Sequence, residues 1–158
     1  MPADQRIGKG VNLRAQVAMS DDEIDAFLRQ HRTMSLASLN ADGSIHLVAM
    51  WYLVVDGTLV FWTKVKSQKV MNLRRAPAVT CMVEDGDDYN ELRGVQIVGT
   101  AEISDDPDRI LELGKALYAR NFGEYTDDAL PIVEQMMHKR VAVTITPTRV
   151  ASWDHTKL

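Results

Sequence analysis

An antiparallel barrel of six strands, closed or partly closed and mainly β with short flanking helices (α+β), is the fold the sequence predicts. Three observations predict it. Apolar runs of strand length recur at 34–39, 45–55, 59–64, 78–84, 93–104 and 141–145. The turn pairs Asp42-Gly43 and Asp56-Gly57 separate the first three runs, which makes them successive hairpins of a meander. The helical stretches between the others are short, and a small barrel removes its own sheet edges.

The elements follow in order. Residues 1–19 are weakly patterned and read as an arm on the surface or on a partner subunit; 20–158 is a single domain. Ser20 and Glu23 form a capping box, and Ile24, Phe27 and Leu28 supply an i, i+3, i+4 stripe, so a helix is expected over 21–31. From 47 to 55 nearly every residue is apolar, which asks for cover on both faces and points to a homodimer interface on that strand. A basic helix follows 59–64 and ends near Ala76-Pro77. The run 93–104 alternates, with Val95, Ile97, Gly99, Ala101 and Ile103 on one face. Asp106 and Pro107 open a helix carrying Ile110, Leu113 and Leu117. Another helix is expected over 127–138, then a last strand at 141–145 that 150–153 extends or ends.

Composition narrows the function classes. The chain has 158 residues and a formal net charge of −4, with a pI near 5.5, which argues against general binding of nucleic acid or membrane surfaces. Cys81 is the only cysteine, so neither an internal disulfide nor a cysteine metal knuckle is expected. The N-terminus has no apolar leader and no run reaches membrane-spanning length, so a cytoplasmic protein is expected. His31, His46, His138 and His155 share no metal-ligand spacing, and there is no nucleophile elbow, dinucleotide fingerprint or Walker loop. Any hard chemical step would then belong to a cofactor.

Against that acidic background, residues 63–75 hold five cations and no acid. Lysines in the first turn of a helix oppose its macrodipole, and a bound anion reverses the sign. Lys66 and Lys69 are three apart and share a helix face. Ser67 is placed to cap the helix and to donate to an anion, while Thr63 and Lys64 end the preceding strand. The segment reads as a phosphate clamp. Arg74 and Arg75 lie at the other end, where the macrodipole favours cations without any ligand.

The order of these features resembles the pyridoxamine 5′-phosphate oxidase-like split-barrel superfamily. The resemblance rests on Trp51-Tyr52 in the long strand, on Phe61-Trp62-Thr63-Lys64, and on Ser67-Gln68-Lys69-Val70-Met71-Asn72-Leu73-Arg74-Arg75. Segments 83–89, 91–95 and 150–158 are similar to its deazaflavin-dependent branch. The resemblance implies an FMN-binding split-barrel type of fold, a homodimer, and a cofactor groove between the subunits. It implies cofactor contacts from Ala49, Met50 and Trp51 against the ring, and from Thr63, Lys64, Lys66, Ser67, Lys69 and Asn72 around the phosphate. Trp153 would close the pocket. Ala49-Met50 stand where many relatives carry a proline before the tryptophan, and no vitamin B6-type C-terminus is evident. The implied activity is an oxidoreductase using coenzyme F-420, a deazaflavin, to deliver hydride to a small unsaturated organic substrate. An FMN-dependent enzyme and a non-catalytic cofactor- or haem-sequestering protein are the alternatives.

Overall fold

The computed structural model describes residues 12–158. Seven strands form one antiparallel sheet: β1 Thr33–Leu39, β2 Ile45–Trp51, β3 Leu53–Val55, β4 Thr58–Lys64, β5 Ala78–Asp85, β6 Arg93–Ser104 and β7 Arg140–Asp154. Their spatial order is β2-β1-β5-β6-β7-β4-β3. The first and last strands of that order, β2 and β3, are consecutive in sequence and separated by Tyr52 alone. A sheet whose two edges are joined by one residue must curl until they meet, and the result is a split half-barrel.

This corrects the single long strand expected over 45–55, and with it the simple meander. Tyr52 is the pivot. Its ring is fully buried, its hydroxyl donates to the Leu28 carbonyl at 2.6 Å, and its N–H donates to the Arg32 carbonyl at 3.1 Å. Before it, β2 pairs with β1 from Thr33↔Trp51 to Leu39↔Ile45; after it, β3 pairs with β4 from Leu53↔Val60 to Val55↔Thr58. The continuous apolar run thus reflects two strands at opposite sheet edges, each with its own inward face. Val48, Met50 and Val54 pack on the main core, and Leu53 packs on a second one.

Side-chain alternation divides β4 between these cores. Leu59 and Phe61 point into the barrel with Met34, Leu36, Val83, Val95 and Val143; Val60 and Trp62 point outward against Ile110, Leu113 and Leu117. Those last three residues lie on α4 (Pro107–Phe122), which Asp106 caps by accepting from the Asp108 N–H, as the sequence predicts. Gly114 lets α4 approach: a Cβ there would lie 2.7 Å from the Trp62 ring. The short α1 (Leu13–Val17) buries Val17, and just beyond it the Met19 N–H donates to the Ser152 hydroxyl of β7. Residues 1–11 of the expected arm lie outside the described residues. The helix α2 (Asp21–Gln30) has both hydrogen bonds of its capping box.

The last strand is longer than expected, because β7 runs without a break through Pro147. Its register against β6 shifts between Val98 and Gly99, which leaves Thr148 as the extra residue of a bulge. Pro147 sits at that irregularity, where a missing N–H costs least. Gly99 faces it with no room for a side chain, since a Cβ would meet the Thr146 carbonyl oxygen at 2.3 Å. Cys81 is buried in β5, and burial pushes its thiol up to about 12. Folded protein at pH 8 is therefore expected to leave Cys81 unmodified by a thiol reagent, with full reaction only in denaturant. Rapid labelling of the native state would contradict the buried placement.

Candidate functional site

The basic helix is α3 (Gln68–Arg75), joined to the end of β4 by a three-residue turn. It forms because Val70 and Leu73 bury one face against the barrel, and it ends where Ala76 precedes Pro77. Ser67 occupies the N-cap with extended backbone angles, yet its hydroxyl makes no hydrogen bond to the first-turn N–H groups, and that turn has no acidic residue. The Ser67 hydroxyl instead lies 3.5 Å from the Thr63 hydroxyl. Lys69 reaches back and donates to Thr63 Oγ1 at 3.0 Å. Thr63, Ser67 and Lys69 therefore form one polar group where β4 hands over to α3. Burial, and secondarily the charge of Arg140, lowers the proton affinity of the Lys69 ammonium.

Lys64 is the register partner of Arg140 across β4 and β7, and its ammonium lies 3.5 Å from the His138 carbonyl oxygen. Lys66 is exposed in the turn. Among the described residues, five ion pairs form, at Arg29, His31, Arg93, Lys115 and Lys157. None involves Lys64, Lys66, Lys69, Lys139 or Arg140. Several described arginines elsewhere also lack an ion pair; these five cations are set apart by their place together at the β4–α3 turn and the start of β7.

Asn72 proves to be a tie rather than an open ligand. It is fully buried; its amide donates to Ser38 Oγ at 3.1 Å and to Asn40 Oδ1 at 2.9 Å, while its carbonyl accepts from Gln68 at 2.8 Å and from Arg75 at 3.3 Å. Two donors and two acceptors are all an asparagine side chain offers. It fastens α3 to the end of β1. Arg75 shares that work and also donates to the Leu39 carbonyl, whereas Arg74 is exposed.

Ala49, Met50 and Trp51 lie beside the split. Continued past Leu53↔Val60, the β3–β4 register would set Trp51 against Trp62 and Ala49 against Lys64, but Tyr52 turns the chain away to β1. The strand carrying these residues therefore flanks the split between β2 and β4. Met50 points inward; Ala49 and Trp51 point out, with the Trp51 ring edge-on to Phe122 at 5.9 Å.

Trp153 is not brought to this group within one chain. It stands 13 residues along β7 from Arg140, opposite Gly94 of β6, and lines a cavity of about 380 Å³ with Arg14, Tyr89, Gln96 and His155. Its ring occupies the space a side chain at position 94 would fill, with a Cβ there only 2.1 Å from Trp153 Cζ2. Gly94→Ala is expected to displace the ring, red-shift the tryptophan emission and cost about 1–3 kcal/mol, the usual cost of overpacking. An unchanged spectrum and melting curve would contradict that packing.

Sequence reasoning missed Arg140. Its Nε donates to the Met136 carbonyl at 2.5 Å and its guanidinium lies 5.0 Å from the centre of the Trp62 ring. Nothing in the local sequence marks it; only the pairing of β7 with β4 brings it beside Lys64.

The comparisons with known proteins agree with the architecture. The profile described as pyridoxamine 5′-phosphate oxidase matches residues 20–154. Comparison with curated proteins finds no match. Among solved structures, the conserved hypothetical protein Rv2991 from Mycobacterium tuberculosis is similar at 49% identity and a TM-score of 0.89, over 91% of this chain and 90% of that one. An F420 reductase is similar at 27% identity and 0.64, over 80% and 94%. A putative pyridoxamine 5′-phosphate oxidase from Listeria innocua shares the fold at 22% identity and 0.64, over 84% and 96%. With the profile matched across nearly the whole described chain and the split half-barrel in place, the chain belongs to the pyridoxamine 5′-phosphate oxidase family.

Proposed function

We propose that this protein binds coenzyme F-420, a flavin-type cofactor, and uses it to reduce a small unsaturated organic molecule. The observation that carries the reading is the group of cations without carboxylates around the uncapped start of α3. Helix-start N–H groups, two hydroxyls and lysine donors make a set that suits a phosphate ester, so these residues fit the group the fold family implies. The cofactor, when bound, supplies the hydride. In this reading Lys69 and Ser67 hold the phosphate, Thr63 orients the Lys69 ammonium, and β2 near Ala49–Trp51 backs the ring. The similarity to an F420 reductase and the motif order at 83–95 and 150–158 favour the deazaflavin over FMN, which ends in the same phosphate.

The reading includes a second copy of the chain. Ile45, Leu47 and Trp51 are 68%, 68% and 48% exposed on the outer face of the edge strand β2. An exposed apolar edge of this kind invites pairing unless something covers it. We assign that cover to a twofold-related copy, and only through such a copy would Trp153 join the cofactor groove.

Titration of the purified protein with the deazaflavin and with FMN in parallel, followed by tryptophan quenching, tests the assignment. Micromolar binding of the deazaflavin supports it. Binding of FMN alone moves the protein to the FMN-dependent group, and binding of neither overturns the reading. Tight binding with no turnover of any electrophilic alkene or nitro compound would identify a carrier or sequestering protein. A monomer in sedimentation equilibrium would remove the second copy.

A further inference from the structure

The chain from Asp85 to Arg93 is a closed loop at one end of the β5–β6 pair, where these two residues are register partners. Arg93 donates to Asp85 Oδ2 across its base at 2.6 Å. Gly86 turns the chain with a φ of 98°, and a Cβ there would lie 2.5 Å from the Glu91 carbonyl oxygen. At the far side the Tyr89 carbonyl accepts from His155 Nδ1 at 2.7 Å, and the Leu92 carbonyl accepts from the His155 N–H at 2.9 Å. Through Tyr89 the loop forms one wall of the cavity that Trp153 lines.

A further contact ties the base of this loop to α2. His31, which ends that helix, has Nδ1 2.8 Å from the Phe27 carbonyl oxygen and Nε2 3.3 Å from Asp85 Oδ2. The Phe27 ring packs against the imidazole with centroids 4.2 Å apart and holds its plane. Neither partner has a hydrogen to give. A backbone carbonyl only accepts, and Arg93, His31 and the Gly86 N–H hold the Asp85 carboxyl below its usual range, so it accepts as well. Both contacts are bonds only when both ring nitrogens carry hydrogen. With a single proton on the ring, one nitrogen turns a lone pair toward an oxygen. The charged groups about the ring are Asp85, Arg93 of β6 and Arg120 of α4, which donates to the His31 carbonyl. On the helix side Arg29 is engaged by Asp25 at 2.8 Å, and Arg32 is exposed. The strand β3, which also packs on α2, has no charged residue.

We propose that the His31–Asp85 contact is a pH-dependent latch at the base of the 85–93 loop, closed while the imidazole carries two protons and open once it loses one. The sign follows from the two acceptors: acid closes the latch, and alkali leaves the ring able to bond to Phe27 or to Asp85 but not to both. The Phe27 contact is the shorter and lies within one helix end, so the Asp85 contact is the one released. Asp85 then keeps Arg93 and the Gly86 N–H, and the loop keeps His155 beside Tyr89, but the tie to α2 is gone. The wall that Tyr89 forms beside Trp153 becomes looser. The latch does not rest on the phosphate or cofactor assignment, and it stands or falls apart from it.

The test uses the full chain without ligand, as wild type, His31→Gln and Asp85→Asn, from about pH 5 to about pH 8, the span in which a histidine changes charge. Nitrogen-15 spectra of the imidazoles count the protons on the His31 ring, and amide exchange at 86–92, corrected for the intrinsic effect of pH, reports the loop. In wild type the ring is expected to carry two protons at the acid end and one at the alkaline end. Exchange at 86–92 should rise about two- to fivefold with that loss, the scale of one partly exposed ion pair. In both variants exchange should be fast throughout and the step absent, although His155 is intact in them, which separates the latch from any effect of His155 on Tyr89. A His31 ring whose proton count never changes, a loop that ignores the change, or the same step in either variant would overturn the latch. If a variant fails to fold, the wild-type ring and loop titrations decide by themselves: coincident steps uphold the latch and separate ones refute it.

Discussion

Lys69→Ala is expected to weaken cofactor binding by about 1.5–3 kcal/mol, the range for hydrogen bonds to a charged group, whereas Arg74→Ala should change it by far less. Both residues lie in α3 and carry one positive charge. They differ in place: Lys69 is half-buried in the first turn and bonded to Thr63, while Arg74 is exposed in the last turn. A general electrostatic attraction would treat the two alike; a positioned clamp would not. Isothermal titration of both variants decides between them, and equal losses would refute the assignment of the phosphate to the start of α3. The pH dependence has a definite sign. Burial and the Arg140 charge lower the proton affinity of Lys69 in the free protein, and a bound anion opposes both effects by favouring the ammonium. Binding should therefore take up protons, and affinity should fall as pH rises through the lowered Lys69 value. The Lys69→Ala variant should lack that alkaline limb.

Asn72→Ala is expected to be the most destabilising of the changes near the site, at about 3 kcal/mol. The side chain is fully buried, and its loss strands the buried Ser38 hydroxyl, at a cost of roughly 1–3 kcal/mol, and also removes the links to the half-buried Asn40 and the exposed Gln68. For a chain of this size the melting temperature should fall by roughly 6–12 °C. Asn72 ties α3 to the end of β1, so cofactor affinity should fall with stability. At Lys69, in contrast, affinity should fall with little change in stability. A small stability change at Asn72 would show that Val70 and Leu73 alone hold the helix.

The contrast between Lys69 and Asn72 also marks what a sequence can convey about a site. Lys66, Ser67 and Lys69 were legible because a helix start flanked by lysines and free of acid is anomalous by local rules. Asn72 stands in the same segment, and sequence offers no sign that its four hydrogen bonds are consumed by Ser38, Asn40, Gln68 and Arg75. Arg140 was invisible because its significance comes from a register 76 residues away, where it lies opposite Lys64. Trp153 looked like a pocket wall because it is aromatic and near the end of the chain. Its distance from the clamp follows from the uninterrupted course of β7, which runs through Pro147 by way of a bulge at Thr148.

By itself the sequence determined the antiparallel β class, the capped helices at Ser20 and Asp106 and the basic strand–helix junction. All of these depend on interactions within a few residues, where periodicity, caps and turn pairs act directly. Tertiary structure alone decided that the apolar run at 45–55 is two strands on opposite edges of the sheet, and that Lys64 faces Arg140. Both depend on where the chain turns at Tyr52. That turn is held by the Leu28 and Arg32 carbonyls of the α2–β1 region, partners that no local pattern around Tyr52 specifies.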